Sequence, residues 1–425
     1  MRLWLASPHF YPTYGGAQNR YRGYIPGFLE RGMDVRIVAG TPEVHDRTEV
    51  DINAGWYGAA SGCWLPSSTL DGVGLERMRL PDGDNIARTR SFYEALVDVC
   101  RRPSEGPVVL QLLTNLRPEA LPVLRQLKKQ GVIILCSVSV FPGWPKKKLK
   151  RIYRRYSYRR LYNEFDALVT NSEPIAGFLR EMGVQTRIQY IPNGVKLQRF
   201  HPVESDQDRR AVTALRQTLG IPPHHRVITT VGAVMPRKGQ DKLIKAWRML
   251  LSRCPDTHLL IVGPRADLHN PKFVEFGHEL SELIEQSGAG EQVHFTGPVD
   301  DVEAWLRASD IFALPSSREG TPNSVLEAMA TGLPCVITPF TGISAAIGVA
   351  GEHYHLVDRR PQAIADALLM LLESKERRFQ LGESGKRFVI ENADQDRSLD
   401  SYARLYRDLC TGEPDRVSVA NYVRC

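Results

Sequence analysis

Two glutamates stand at a spacing that could serve a binding site for a hydroxylated, phosphorylated ligand. Glu319 follows a short apolar run, and Glu327 lies eight positions later, in a helical pattern that begins at Ser324. Carboxylate oxygens accept hydrogen bonds from sugar or ribose hydroxyls, and the first backbone amides of a helix can bind a phosphate. The spacing alone leaves an ordinary surface loop and helix as an alternative.

Two adjacent cations, Arg237 and Lys238, lie in another loop, which Gly232 opens directly after the apolar run Val227–Val231. A nucleoside diphosphate needs fixed positive charge, both for binding and for its stabilisation as a leaving group. Cations are disfavoured at the start of a helix by the helix dipole. Their position therefore favours a ligand-binding role over that of a solvated helix start.

A pair of glycines, Gly15 and Gly16, follows the first apolar run and precedes the helical pattern Ala17–Glu30. Glycines there allow the backbone to approach a ligand closely, and the helix start suits an anion. A tight turn between strand and helix explains the pair equally well.

Short apolar runs alternate with longer amphipathic runs along the whole chain. The predicted strands of the first half are Arg2–Ala6, Val35–Ala39, Val108–Leu113, Val132–Val138, Ala167–Thr170 and Arg187–Ile191. Those of the second half are Val227–Val231, Leu259–Val262, Val293–Thr296, Ile311–Leu314 and Cys335–Ile337. This alternation predicts an α/β fold with two doubly wound parallel sheets. Ligands of such sheets bind beyond the carboxyl ends of the strands, where all of the loops above lie.

The segment around the two glutamates is specific enough to suggest a family. Residues Glu319–Ala330 read EGTPNSVLEAMA, which resembles the signature of the retaining, GT-B-type glycosyltransferases of family 4 (glycosyl transferases group 1). Other segments agree with it in order: Phe10–Pro12 with Gly15 and Gly16, Thr170–Glu173, Ile191–Val195, Val231–Gly232 with Arg237–Gly239, Leu260–Gly263, Phe295–Gly297 and Ala308–Phe312. The resemblance covers nearly the whole chain and is weakest between Thr41 and Leu110.

The resemblance implies a GT-B architecture, in which two Rossmann-like domains face each other across a cleft. It implies an acceptor-side domain over residues 1–195, a nucleotide-sugar donor domain over 196–395, and a segment 396–425 whose helix returns to the first domain. We expect this helix over Asp396–Leu409.

The resemblance also assigns roles to the residues of the site. Arg237 and Lys238 are expected to bind the donor diphosphate, and Glu319 to contact the hydroxyls of the donor sugar. These three are the expected catalytic residues. Glu327 is expected to contact the ribose hydroxyls, and the surroundings of Gly297 to lie near the base. The remaining donor-binding positions are Gly15, Gly16, Gly232, Gly297, Asn323, Ser324 and Glu327.

One departure from the family concerns histidine. Members usually carry a histidine after a middle strand of the first domain, and many carry another after the next strand. Here Val108–Asn115 and Cys136–Ser139 contain none, and His9 is a candidate in a different loop. A mechanism in which the donor phosphate itself accepts the acceptor's proton fits this departure.

A basic segment interrupts the first half. Residues Lys146–Arg160 contain nine cations and no acid. Leu149, Ile152, Tyr153 and Tyr156 in this segment, and Leu161 directly after it, recur at helical spacing, and we expect this face to pack on the domain. The cations offered to an anionic membrane surface or an acceptor are Lys146, Lys147, Lys148, Lys150, Arg151, Arg154 and Arg155. A solvated basic helix remains an alternative, and RNA binding is a third, although no nucleic-acid module accompanies the segment.

Composition and charge limit the classes of protein. The chain has 425 residues, 42% hydrophobic and 24% charged, as in soluble globular proteins, and no apolar run long enough to span a bilayer. Residues 1–200 carry 29 Lys and Arg against 18 Asp and Glu, whereas residues 201–425 carry 26 against 30. The first half is therefore basic, which suits a phosphate-rich partner.

Scattered cysteines and a strand pattern at Met1 lead us to expect reduced thiols, no signal peptide and a cytoplasmic protein, peripheral on the inner face of a membrane. The seven cysteines show no metal-binding spacing, and the D-x-D pairs lie in polar stretches, so no metal cofactor is expected.

These observations predict transfer of a sugar from a nucleoside-diphosphate donor, with UDP favoured over GDP or ADP, to a lipid-linked or envelope-polysaccharide hydroxyl. A non-catalytic nucleotide-sugar-binding protein is the alternative from another class. A small-molecule glycosyltransferase and a sugar phosphorylase are nearer alternatives.

Overall fold

The computed structural model of the chain forms two compact units, Met1–Ile191 with Asp396–Cys425, and Pro192–Gln395. The first boundary lies four residues before the one expected at 195. The residues that the structure describes are 1–8, 10, 16–42, 59–82, 85–114, 116–141, 147–265, 271–340, 343 and 345–412.

The first unit contains an eight-stranded sheet in the order β3-β4-β2-β1-β5-β6-β7-β8. Its strands are β1 (Arg2–Ser7), β2 (Asp34–Gly40), β3 (Ser68–Leu70), β4 (Val73–Met78), β5 (Val108–Leu112), β6 (Ile133–Ser137), β7 (Ala167–Thr170) and β8 (Arg187–Tyr190). All neighbours pair in parallel except β3 and β4, which form an antiparallel hairpin at one edge.

The β3–β4 hairpin is absent from the predicted strands. Its two-residue turn is Asp71-Gly72, and both residues have positive φ, 51° and 82°. Asp-Gly is a typical sequence for such a turn, so the signal was present. It was missed because β3 has only three residues, two of them exposed.

Helices cover both faces of this sheet. They are α1 (Gly16–Glu30), α2 (Asn85–Cys100), α3 (Leu121–Lys129), α4 (Lys148–Tyr162) and α5 (Glu173–Glu181). Alternate residues of β1 enter different cores, with Trp4 and Ala6 on one face and Leu3 and Leu5 on the other. Burial on both faces explains why the strands read as continuous apolar runs.

The second unit contains a six-stranded, wholly parallel sheet in the order β11-β10-β9-β12-β13-β14. Its strands are β9 (Arg226–Val231), β10 (Thr257–Val262), β11 (Val293–Gly297), β12 (Ile311–Leu314), β13 (Cys335–Ile337) and β14 (His355–Leu356). Its helices are α6 (Asp206–Thr218), α7 (Gln240–Leu250), α8 (Pro271–Glu285), α9 (Val302–Arg307), α10 (Asn323–Ala330), α11 (Pro361–Glu373) and α12 (Lys375–Asn392).

The last helix, α13 (Gln395–Thr411), packs against α1 within the first unit. Tyr402 makes edge contacts with Tyr24 and Phe28, at ring-centroid distances of 6.0 and 5.9 Å. The helices approach closely at Gly27, where an added Cβ would lie 2.2 Å from a methyl carbon of Leu399. Among the helices of the described ranges, none is long and apolar enough to cross a membrane.

Candidate active site

Three glycines lie at the carboxyl ends of neighbouring strands in the second unit. Gly232 follows β9, Gly263 follows β10, and Gly297 ends β11. The Gly263 amide donates to the carbonyl of Gly297 at 3.1 Å, and a Cβ on Gly263 would lie 2.6 Å from the carbonyl oxygen of Gly232. A larger residue at Gly263 cannot be accommodated without a backbone shift. The three glycines therefore leave this edge of the sheet without side chains, and backbone groups can approach a ligand.

The loop after β9 rests directly on the loop after β12. Gly239 has a φ of +76°, and a Cβ there would lie 2.3 Å from the Pro315 carbonyl oxygen. The Arg237 carbonyl accepts hydrogen bonds from the Ser317 amide at 2.9 Å and from the Ser316 hydroxyl at 3.0 Å. These backbone contacts hold the two cations of the first loop beside the acidic residue of the second.

The carboxylate of Glu319 is the meeting point of these two loops. Its Oε1 atom lies 2.8 Å from Lys238 Nζ and 3.2 Å from Arg237 Nη1, and accepts a hydrogen bond from the Ser316 hydroxyl at 2.7 Å. The side chains of Lys238 and Glu319 are 12% and 10% exposed. Within the described residues Oε2 accepts no hydrogen bond, so this oxygen is available to a ligand hydroxyl.

The charge state of Glu319 follows from its neighbours. Burial alone raises the pKa of a carboxyl group, but the positive charges of Lys238 and Arg237 outweigh it, and the pKa of Glu319 lies below its usual range. Hydrogen bonds from Lys238 and Ser316 act in the same direction. The site therefore holds an ionised carboxylate between two cations near neutral pH.

Helix α10 begins at the same edge of the sheet. Its cap residue, Pro322, supplies no side-chain acceptor, so the first backbone amides, at Asn323 and Ser324, have no side-chain cap. The Asn193 side chain fixes this helix start by donating to the Thr321 carbonyl at 3.0 Å and to Asn323 Oδ1 at 2.5 Å. The arrangement suits a phosphate or a sugar oxygen at the helix start.

Glu327 lies one turn after Asn323 on the same face of α10. Its half-buried carboxyl group makes no hydrogen bond to a described residue. Burial raises its pKa to about 7, with the charge of Arg199 opposing the shift and that of Glu303 adding to it. Arg199 itself pairs with Glu303 at 2.7 Å. The Glu327 carboxyl group is thus a hydrogen-bond acceptor that changes its charge near neutral pH.

In the first unit, Gln111 and Ser137 lie in the two segments where family members usually carry histidines. Gln111 in β5 and Ser137 in β6 are buried and joined at 3.1 Å. The Ser137 hydroxyl also contacts the Tyr21 hydroxyl at 2.6 Å, which contacts that of Tyr402 at 2.8 Å. The Tyr406 hydroxyl donates to Gln111 Oε1 at 3.2 Å. Both residues are thus committed to holding α13. Gly16 is exposed at the start of α1, whereas Gly15 and His9 lie outside the described residues.

Helix α4 differs from its prediction. Leu149, Ile152, Tyr153 and Tyr156, which were expected to pack on the domain, are 82, 56, 74 and 55% exposed. Only the end of the helix, at Leu161 and Tyr162, enters the core, and Tyr158 packs against it. The prediction failed because helical spacing shows that residues share a face, not that another element covers it.

Exposed cations surround these apolar residues: Lys147, Lys148, Lys150, Arg151 and Arg155, with Arg154 half-buried. The predicted Lys146 lies outside the described residues. Beside the helix is an open groove of about 720 Å³ between α4 and the turn at Pro118.

Family models match both halves of the chain. Residues 15–194 match the glycosyl transferase 4-like domain, and residues 212–388 match the glycosyl transferases group 1. The chain belongs to the group 1 glycosyltransferases, as its sequence predicted. Its GT-B fold is confirmed by two parallel α/β units and by solved relatives.

Individual relatives of this chain are distant, and it spans less than two thirds of the length of several of them. The D-inositol 3-phosphate glycosyltransferase of Corynebacterium urealyticum is 31% identical over 271 residues, which span 61% of this chain and 60% of the relative. The lipopolysaccharide core biosynthesis mannosyltransferase LpsB of Rhizobium meliloti is 25% identical over 69% of this chain and 82% of its own. Anabaena HepE, solved in complex with UDP-glucose, has a TM-score of 0.71 at 16% identity and covers 96% of this chain and 100% of its own.

The structure adds residues that sequence reasoning missed. Ser316 donates to Glu319, Asn193 fixes the start of α10, and Arg199 with Glu303 sets the surroundings of Glu327. Asn193 lay within the segment Ile191–Val195 that resembled the family, which was a signal, whereas Ser316 lies just before the signature that begins at Glu319. The sequence indicated neither contact. Arg199 and Glu303 are 104 positions apart and gave no signal.

Proposed function

We propose that the protein transfers a sugar from a nucleoside-diphosphate donor to a hydroxyl acceptor with retention of anomeric configuration and without a metal ion. The observation that carries this proposal is the Glu319 carboxylate held by Lys238 and Arg237 beside the uncapped start of α10. The two cations now face the carboxylate of Glu319. A diphosphate bound there would place its own negative charge against the same two cations. Glu319 Oε2 remains available to a sugar hydroxyl.

The proposed reaction breaks the C1–O bond to the diphosphate through an oxocarbenium-like state. Lys238 and Arg237 stabilise the charge that develops on the departing phosphate oxygen, and electrostatic stabilisation of this kind is worth several kcal/mol in enzymes. Glu319 orients the sugar. The acceptor hydroxyl attacks from the face that the phosphate leaves, and the phosphate oxygen takes its proton, so no protein base is required.

We infer that the donor nucleotide is UDP, with GDP and ADP as alternatives. HepE, which has the same fold, was solved with UDP-glucose. The bare backbone edge at Gly297 and Gly263 suits a flat base, and Glu327 suits the ribose hydroxyls. A nucleoside diphosphate and a sugar are the partners that these groups recognise, and no group of the site is specific for a nucleic acid.

A thermal-shift panel of UDP, GDP, ADP and their sugar conjugates tests the donor site. A ligand at about 100 times its dissociation constant stabilises a fold by roughly 2.7 kcal/mol. We expect one base to raise the melting temperature of the wild type and to lose this effect in Glu327→Ala. The exposed Glu291→Ala is the control. No shift with any nucleotide would contradict the donor site.

Turnover of the bound donor separates the alternatives. Release of nucleoside diphosphate in the presence of an acceptor extract supports the transferase. Binding without turnover points to a nucleotide-sugar-binding protein. Cleavage of a glycoside by phosphate, with release of sugar 1-phosphate and a free hydroxyl and without a nucleotide sugar, points to a phosphorylase.

For the acceptor we propose a lipid-linked or envelope-polysaccharide hydroxyl, presented at an anionic membrane surface on the cytoplasmic side. The support is α4, whose first three turns carry exposed apolar side chains between exposed cations. Cations near anionic lipid contribute about 1 kcal/mol each, and tyrosines suit the interface. LpsB, a relative, is named for lipopolysaccharide core biosynthesis.

Flotation with vesicles tests this surface. The wild type is expected to float with phosphatidylglycerol vesicles at low salt and to sediment with neutral ones. Charge reversal of Lys148, Lys150 and Arg151 removes the electrostatic contribution to vesicle binding, and Leu149→Ser with Tyr153→Ser removes the apolar contribution. Reversal of three exposed cations elsewhere in the first unit, Arg90, Arg101 and Lys129, is the control for net charge. Equal flotation of wild type and both α4 variants would show that α4 does not bind the membrane.

A further inference from the structure

Three histidines form a hydrogen-bonded row across the amino-terminal edge of the second sheet. His225 precedes β9, His258 lies in β10 and His294 lies in β11, on three neighbouring strands. His225 Nδ1 lies 2.9 Å from His258 Nε2, and His258 Nδ1 lies 3.0 Å from His294 Nε2. His258 is 4% exposed, and its ring is nearly parallel to that of His294, at an interplanar angle of 11° with centroids 5.3 Å apart. The row is therefore built into the sheet.

The outer end of the row meets two more potential ligands. His225 Nε2 lies 3.5 Å from the carboxylate of Asp256, and His224 lies beside them. One ligand atom from each of the three residues lies within 4.8 Å of the others. In a tetrahedral zinc site with bonds of about 2.0–2.2 Å, ligand atoms are roughly 3.4 Å apart. The ligand atoms would have to approach one another by at most roughly 1.4 Å to reach this separation.

The backbone fixes these residues before any ion binds. The Arg226 amide donates to the Asp256 carbonyl at 2.9 Å, and the His225 amide donates to the Pro222 carbonyl at 3.1 Å. Arg216 Nη1 also donates to the His225 carbonyl at 3.2 Å. The ends of β9 and β10 are thus held in register at the point where the three side chains converge.

We propose that His224, His225 and Asp256 bind a divalent transition-metal ion, Zn²⁺ or one of similar ligand preference, with water completing the coordination. Imidazole nitrogen with carboxylate oxygen suits Zn²⁺, whereas Mg²⁺ and Ca²⁺ prefer oxygen ligands alone.

The histidine row explains why His225 is suited to this role. A metal-bound neutral imidazole carries its proton on the other nitrogen and commonly donates it to an outer partner. With a metal on Nε2, the Nδ1 proton of His225 is donated to His258 Nε2, and the Nδ1 proton of His258 to His294 Nε2. The row has the geometry that fixes this orientation. His258 and His294 are positioning residues and do not contact the ion.

This site is separate from the proposed donor site. The donor residues lie at the carboxyl ends of β9–β12, whereas the histidines lie at the opposite edge, roughly 20 Å away along a six-residue strand. Metal binding therefore does not depend on sugar transfer. It joins the loop before β9 to the start of β10 and stabilises the second unit by RT ln(1 + c/Kd), where c is the free Zn²⁺ concentration, so the melting temperature should rise with c.

The test uses the full chain without a histidine tag, freed of metal, in a Cys63→Ser background that removes an exposed thiol. Zn²⁺ is titrated in competition with a chromophoric chelator, and thermal melting is followed in parallel. We expect one equivalent bound in the micromolar range or tighter, a higher melting temperature with Zn²⁺, and no effect of Mg²⁺.

Variants decide the assignment. His225→Gln and Asp256→Asn are expected to lose the equivalent, and His258→Gln to weaken it about 10–100-fold. The exposed His278→Gln in the same unit is the control and should bind as the wild type does. Unchanged binding in His225→Gln, or no bound equivalent in the parent chain, would overturn the proposal. Donor binding, measured in the same variants, is expected to stay unchanged.

Discussion

Lys238 and Glu319, 81 positions apart in the sequence, form an ion pair of 2.8 Å with both side chains nearly buried. The two residues follow neighbouring strands, β9 and β12, and Arg237 adds a second cation to the same carboxylate oxygen. Buried pairs contribute little net stability, because desolvation offsets their attraction. This pair is therefore better explained by ligand chemistry than by folding.

Substitutions of Lys238 and Glu319 should be strongly non-additive in their effects on both activity and stability. Lys238→Met and Glu319→Gln are each expected to lower transfer by at least about 100-fold, because each removes a charge that acts on the transition state. Each also leaves a nearly buried charge with fewer partners and lowers the melting temperature, and the double variant should lose less than the sum.

Steady-state turnover and thermal melting of the four proteins measure this coupling. The exposed pair Lys245 and Glu279, 3.0 Å apart, is the matched control, for which coupling should be close to zero. Wild-type turnover in Lys238→Met would rule out the assigned role.

Gly232 should matter through the space that it leaves to Lys238. Its φ is +141°, and an added Cβ would lie 3.1 Å from Lys238 Cε and 3.2 Å from Nζ. Gly232→Ala is expected to displace Lys238 and weaken nucleoside-diphosphate binding about 10-fold or more. Gly220→Ala, with a φ of +67° and open space, is the control for a glycine of positive φ that makes no such contact. Calorimetric titration with UDP compares them, and an unchanged affinity in Gly232→Ala would contradict the role assigned to this space.

The pKa of Glu327, about 7, predicts pH dependence. Since the folded-state pKa is raised, the associated stability is present below about pH 4.5 and lost as the pH rises to about 7. Glu327→Gln should therefore be more stable than the wild type at pH 8, by on the order of 1–3 kcal/mol at about 1.4 kcal/mol per pKa unit. Denaturant melts at pH 5 and 8 measure this, with Glu291→Gln as control.

Ligand binding should show the opposite trend. An ionised Glu327 offers two acceptors to the ribose hydroxyls, so affinity for a nucleotide sugar should rise between pH 6 and 8 in the wild type and stay flat in Glu327→Gln. A nucleotide sugar is used in place of UDP because the diphosphate of a nucleotide sugar, unlike that of UDP, does not titrate between pH 6 and 8. A parallel rise in both proteins would assign the effect to another group.

Helix α13 should be sensitive to one methyl group on α1. Gly27→Ala places a Cβ against Leu399, whereas Gly23→Ala, one turn earlier, meets nothing within 4 Å. We expect Gly27→Ala to destabilise the first unit by about 1–3 kcal/mol and Gly23→Ala to stabilise it by about 0.5–1 kcal/mol through helix propensity. Leu399→Ala should restore part of the loss in Gly27→Ala. Urea unfolding followed by circular dichroism distinguishes the three variants.

The apolar runs predicted most strands because both faces of each sheet are covered, and a doubly covered strand is continuously apolar. The β3–β4 hairpin was missed because its edge strand, β3, has only three residues, two of them exposed. The site loops were predicted since parallel strands bring all their carboxyl ends to one edge. The packing of α4 was predicted incorrectly because periodicity does not reveal whether a partner surface exists.

The sequence by itself determined the alternation of elements, the family, and the residue types at the ends of β9 and β12. Tertiary structure alone decided that Glu319 meets Lys238 and Arg237, that Gln111 and Ser137 hold α13, and that three histidines from three strands form one row. The physical reason is that local sequence fixes periodicity and turn chemistry, whereas these contacts depend on strand order and register. Residues more than 30 positions apart become neighbours only once the sheets have formed.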